Sequence, residues 1–118
     1  MSGQELTSIE PHQQVVHVLV MRRALSDGSS HQLLDEVNSA AAANPRLPVV
    51  LDMLKVEFTP SSVLGALVSL SSGMKLDGRR FILVHVDRRV RGTLSVTRLD
   101  KKLEMFETLD DAVASIKT

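Results

Sequence analysis

Asp52 closes the apolar run Val49-Val50-Leu51, and a carboxylate at the end of a buried strand could accept a phosphoryl group. That chemistry needs a magnesium ion held by further carboxylates, but the first long apolar run ends Met21-Arg22-Arg23, and cations there oppose such a site. Gly73-Met74-Lys75-Leu76-Asp77-Gly78-Arg79 has the outline of a phosphate loop, with Arg79 and Arg80 in place of the lysine and the hydroxyl residue. A phosphate cradle leaves a strand and opens a helix, whereas this stretch closes a helix and enters a strand, so the mechanism fails on context. His12, His17, His31 and His85 stand at no metal-ligand spacing, and the sequence offers no metal site. His17 and His85 alternate with apolar neighbours and read as satisfied or half-exposed sheet histidines. No Gly-x-Ser-x-Gly turn presents a serine nucleophile and there is no cysteine, so the sequence gives catalysis no residues and points to no cofactor.

Thr59-Pro60-Ser61-Ser62 is the other chemically suggestive set. It puts three hydroxyls in the first turn of a helix, where free backbone N–H groups and the helix dipole favour added negative charge such as a phosphate. The simpler reading of the same residues is capping by Thr59 and by Ser61 or Ser62. Between Asp87 and Lys102, six cations (Arg88, Arg89, Arg91, Arg98, Lys101 and Lys102) face Asp87 and Asp100. With no aromatic residue there to stack bases, the stretch reads as a solvated helix face ahead of a protein-binding patch, and as a nucleic-acid surface least of all.

The elements that must position these residues follow from periodicity. Val15 to Met21 is a β-branched run and predicts a strand; Leu6 to Glu10 predicts a short strand paired with it across Pro11. Leu33, Val37, Ala40 and Ala41 predict a helix over 30–43, stopped by Asn44-Pro45. Pro48 to Asp52 predicts a strand covered on both faces. Val63, Leu67, Leu70 and Met74 predict a second helix, with Thr59 as its cap and Pro60 in its first turn. Asp77-Gly78 turns the chain into a strand over 81–86, then a helix over 87–96 and a short strand at Met105-Phe106. Leu109, Ala112, Val113 and Ile116 predict a closing helix, opened by a capping-box-like Thr108 and Asp111. Alternating strands and helices imply an α/β layer structure with a largely parallel sheet. In such folds, contacts with ligands and partners gather beyond the carboxyl ends of the strands, where the 53–62 loop lies.

The 118 residues, 43% apolar, suffice for one domain over 1–118 whose first 13 residues are polar apart from the short strand. Fourteen Lys/Arg balance fourteen Asp/Glu, which excludes a strongly basic nucleic-acid binder. No apolar run approaches the ~20 residues that span a bilayer. Without cysteine or a signal pattern, a soluble, cytoplasmic protein is expected.

From Val49 onward the sequence resembles the STAS family, shared by sulfate-transporter tails and anti-sigma factor antagonists. Val49-Val50-Leu51-Asp52-Met53 is similar to its apolar strand ending in Asp-Leu, and 56–67 to its valine-x-phenylalanine-x-Asp-Ser-Ser-Gly-Leu-Gly-x-Leu segment. The segment 78–84 is similar to its glycine turn and following strand, and Leu25-Ser26-Asp27 stands where the family has Gly-x-Leu-Asp. The resemblance implies an α/β STAS-like fold: a four- to five-stranded mixed sheet with about four helices. It further implies a non-catalytic signalling module whose partner is an anti-sigma factor or related serine kinase. Docking would fall to Asp52, Thr59, Pro60, Ser61, Ser62 and Val63. Ser62 matches the serine whose phosphorylation releases the partner, with Ser61 the second choice. Pro60 replaces the family's aspartate and Val63 its glycine, and both restrict the backbone that a kinase would grip. A small-ligand or nucleotide sensor and a scaffold without a switch are the competing functions.

Overall fold

The computed structural model describes residues 5–117. Five strands form one sheet in the order β1-β2-β3-β4-β5: Thr7–Glu10, Val16–Val20, Val49–Asp52, Phe81–Val84 and Glu104–Phe106. β1 runs antiparallel to β2, and every other neighbouring pair is parallel. The crossovers are α1 (Ser29–Ala43), α2 (Ser61–Leu76) and α3 (Arg88–Val96), and α4 (Leu109–Lys117) closes the chain.

Strand alternation divides the core. Val49 and Leu51 of β3 and Phe81 and Leu83 of β4 face the crossover helices, meeting Leu33 and Val37 of α1, Val63 and Leu67 of α2, and Val90 and Leu94 of α3. Val50, Ile82 and Val84 face the other way, onto Ala112 and Val113 of α4. Both faces of β3 and β4 are therefore covered, as their uninterrupted apolar sequences require. Burying each large side chain such as Leu33, Leu67 or Leu83 contributes about 1.5–3 kcal/mol.

Local expectations hold with instructive exceptions. The short N-terminal strand forms and pairs with β2, Thr7 opposite Val20 and Glu10 opposite His17. Thr108 Oγ1 accepts from the Asp111 N–H at 3.1 Å, the first half of the expected box at the start of α4. The strand expected over 81–86 stops at Val84, because His85 takes a left-handed φ of 55° that ends the ladder. A 3₁₀ turn at Leu99–Lys102, absent from the periodicity, leads into β5. Asp87, expected inside the third helix, caps it instead by accepting from the Arg89 N–H at 2.8 Å.

Two polar anchors tie α1 to its neighbours, one at its carboxyl end and one at its middle. Arg79 donates to the carbonyls of Ala41 (2.8 Å), Asn44 (2.9 Å) and Leu47 (3.1 Å), tying the turn before β4 to the end of α1 and the loop that follows it. A lysine cannot make this fork, so Arg79→Lys is expected to lower unfolding free energy by about 1–2 kcal/mol in urea titration with an unchanged m-value. An unchanged midpoint would show the fork to be incidental. Glu36, on α1, accepts from the N–H groups of Leu6 and Thr7, from Thr7 Oγ1 and from Gln32. Burial alone would push its carboxyl up, but these hydrogen bonds prevail and hold it below the usual range. Its contribution is thus present above the unfolded glutamate pKa and is lost as pH falls through the depressed folded value. Glu36→Gln should speed hydrogen exchange of the Leu6 and Thr7 amides about 5–10-fold, roughly 1 kcal/mol of local opening; equal rates would refute the anchor.

Candidate functional site

The carboxyl ends of β2, β3 and β4 open onto three loops, and two of them are zipped together. The Glu57 N–H donates to the Arg23 carbonyl at 2.7 Å and the Leu25 N–H to the Phe58 carbonyl at 3.0 Å, with Ala24 and Phe58 forming an isolated parallel bridge. The segment after β2 and the segment after β3 therefore move as one backbone unit. Side chains extend the zip, since Glu57 sits between Arg23 at 3.0 Å and Arg89 at 3.5 Å. Beside them lies a cleft of about 570 Å³, lined in part by Phe58, Thr59 and Thr93.

α2 begins at this zip. Pro60, in extended conformation, occupies the cap position, and no side chain caps the helix. The expectation of a Thr59 cap with Pro60 inside the first turn is corrected by one residue. Pro60 has an extended ψ of 166°, so the helix starts after it, and its carbonyl takes the N–H groups of Val63 and Leu64. The serine hydroxyls are not caps either. Ser62 Oγ donates sideways to Asp27 Oδ1 at 2.7 Å, joining the first turn of α2 to the loop before α1.

The six residues singled out from the sequence separate by depth. Ser61 and Ser62 are exposed, Thr59 and Pro60 half-buried, and Val63 and Asp52 buried. Leu54 and Phe58, which the sequence reading did not single out, are 64% and 62% exposed on the same loop. Both large apolar side chains stand in solvent on the loop that leads into α2.

Asp52 lies beneath that surface. Its Oδ2 meets His17 Nε2 at 2.8 Å, and its Oδ1 meets His85 Nδ1 at 3.0 Å and the Leu54 N–H at 3.0 Å. An ionised carboxylate only accepts, which assigns the N–H of His17 to Nε2 and that of His85 to Nδ1. Burial alone would push the Asp52 carboxyl up; the bonds from His17, His85 and Leu54 outweigh it and hold the group below the usual carboxylate range. The left-handed backbone of His85 is unfavourable for a residue with a Cβ by about 1–2 kcal/mol. It is held by the Asp52 bond and by its own N–H donating to the Glu107 carbonyl at 3.2 Å. The sequence separates these histidines from Asp52 by 35 and 33 positions, so no spacing rule could join them. Their one common signal is that each belongs to an apolar run neighbouring β3, His17 within β2 and His85 directly after β4.

The ring N–H groups are spent on the carboxylate. Among the described residues, no group of three or more His, Asp or Glu residues could hold a metal ion. Among them too, no helix is long and apolar enough to cross a membrane. Part of the cationic stretch is internally paired, Arg89 with Asp87 at 3.0 Å and Arg91 with Glu107 at 3.1 Å.

The STAS domain model matches residues 8–112. A protein of Thermotoga neapolitana, provisionally named as an anti-sigma factor antagonist homolog, is 29% identical over 69 residues, 58% of this chain and 61% of that protein's length. An anti-sigma factor antagonist from Mycobacterium paratuberculosis superposes with a TM-score of 0.77 over 100% of both chains at 24% identity. An anti-sigma-factor antagonist (STAS) domain protein from Planctomyces limnophilus gives 0.77 over 92% of this chain and 95% of that one, at 22% identity.

Proposed function

The chain belongs to the STAS domain family, and from that membership we propose that it is a non-catalytic regulatory module docking a signalling protein at the start of α2. The partner is an anti-sigma factor or related serine kinase, and phosphorylation of Ser62 is the switch that releases it. One observation carries this reading: Ser62 is exposed, its hydroxyl is 2.7 Å from the Asp27 carboxylate, and exposed Leu54 and Phe58 stand on the loop that leads into its helix.

The switch follows from charge. A phosphate brings about −1.5 to −2 charges to a hydroxyl that now donates to a carboxylate. The donor becomes an acceptor, the bond to Asp27 is lost, and like charges meet. The amino end of α2 welcomes the phosphate by about 0.3–1 kcal/mol. A unit charge pair at ~4 Å costs about 1 kcal/mol in water and about 4 at a surface dielectric near 20. Repulsion wins, and the Asp27 loop, zipped to the docking loop, is what must yield. Asp52 acts from below, through Leu54, as a positioning residue.

The test is hydrogen exchange of the chain with an anti-sigma factor kinase captured from the source cells and purified. Amides over 59–67 should gain protection on binding, and ATP should phosphorylate the wild-type chain but not Ser62→Ala. Protection confined to another face overturns the docking site; equal phosphorylation of Ser62→Ala removes Ser62 from the switch.

A further inference from the structure

The net charge of zero hides a separation of charge across the sheet. At the β1 edge, a groove of about 770 Å³ runs between β1 and α1, with exposed Ile9 and Met21 on its walls and Glu5, Asp35 and Glu36 around it. No lysine or arginine lines it, though Arg22 stands nearby and donates to the Glu5 carbonyl. At the other side, a groove of about 430 Å³ at the beginnings of β4 and β5 is lined by Lys75, Lys101 and Lys102. Its one carboxylate, Glu104, is already paired with Arg80, whereas none of the three lysines is in an ion pair among the described residues. Next to Lys75, at the end of α2, Leu76 is 89% exposed.

The two patches complement each other in both respects: an acidic rim around apolar side chains, and a cationic rim beside a protruding leucine. From this we infer that a second copy of this chain docks head to tail, its Leu76 and surrounding lysines seated on the β1–α1 groove. Because the patches lie at opposite edges of one sheet, a contact uses one patch of each copy and leaves the other free. The interface is heterologous, and it builds short chains rather than closed dimers. The unpaired outer edge of β1 lies within the contact and is shielded by it, answering the exposure that an edge strand otherwise carries. This surface is separate from the start of α2, so association leaves Ser62 accessible.

Exposed charge pairs are individually weak, so the association belongs to high protein and low salt. Sedimentation velocity over a concentration series reaching about 1 mM, at about 50 mM salt, should show a weight-average mass rising beyond that of a dimer. Raising salt to about 500 mM shortens the screening length to a few ångströms and should weaken association about tenfold. Asp35→Lys and the double change Lys101→Glu with Lys102→Glu each abolish it, at exposed positions that leave the core untouched. An equimolar mixture of the two variants restores one contact, because the intact basic patch of one meets the intact acidic groove of the other, and its mass rises to that of a heterodimer without the longer chains of the wild type. Glu5→Lys and Lys75→Glu serve as a second pair should either variant fold poorly. A monomer at every concentration overturns the inference, and so does association that ignores salt, survives charge reversal, or fails to return on mixing.

Discussion

Asp52→Ala is expected to lower the unfolding free energy by about 2–4 kcal/mol, the largest stability loss among the polar residues of the sheet. The substitution leaves three donors, the N–H groups of His17, His85 and Leu54, without their acceptor. Each buried orphan costs about 1–3 kcal/mol, and the sum falls short of three full penalties because the His85 side chain, 27% exposed, can turn to water. Asp52→Asn keeps one acceptor oxygen and should lose about half as much. The pH dependence has a definite sign. The folded carboxyl titrates below the unfolded aspartate, near 3.9, so its contribution is complete above that value and fades as pH falls through the depressed folded one. The stability gap between wild type and Asp52→Asn should therefore be flat from about pH 5 to 8 and close below about pH 4. Urea titrations at pH 7, 5 and 3.5 read this directly. A gap that widens on acidification would overturn the carboxylate's role.

Ser62→Asp is expected to weaken partner binding about 10–100-fold, and full phosphorylation up to about a thousandfold. The aspartate brings one charge against Asp27, worth about 1–3 kcal/mol after screening at an exposed site, and tenfold in affinity is 1.4 kcal/mol. Ser62→Ala only removes a hydrogen bond, about 0.5–1.5 kcal/mol, and should stay within about tenfold of wild type. The decisive arm is Ser62→Asp combined with Asp27→Asn. If repulsion with Asp27 is the switch, the second change restores most of the affinity and the cycle returns a coupling of at least about 1 kcal/mol. Calorimetric titration of the purified partner against the four proteins gives that number. Equal affinities for wild type and Ser62→Asp would end the charge-control model, and additive losses would leave Asp27 no part in it.

The elements were legible because each records its own burial in sequence. Val49-Val50-Leu51 and Phe81-Ile82-Leu83-Val84 are apolar on both faces because helices cover both faces, and Leu109, Ala112, Val113 and Ile116 carry the period of a helix packed on one side. Chain order then led to a largely parallel sheet and the family resemblance to a mixed one, and in the fold every connection from β2 onward carries a helix while only β1 is joined to its neighbour by a turn. The family resemblance pointed in turn to the stretch that begins α2. Where the cap of α2 falls was misjudged by one residue because both Thr59 and Pro60 have a local preference there, and local preference alone does not choose between them.

What only the folded chain decided is which polar groups meet. Asp52, His17 and His85 come together because parallel register sets β2 and β4 on either side of β3, so that His17 within β2 and His85 just past β4 both reach the carboxylate at the end of β3, and Ser62 meets Asp27 because two loops zip edge to edge. Hydrophobic burial leaves a periodic trace in the residues that undergo it. A hydrogen bond between positions 33 or 35 apart leaves none, since its partners are chosen by strand register and loop closure, and these exist only once the sheet has formed.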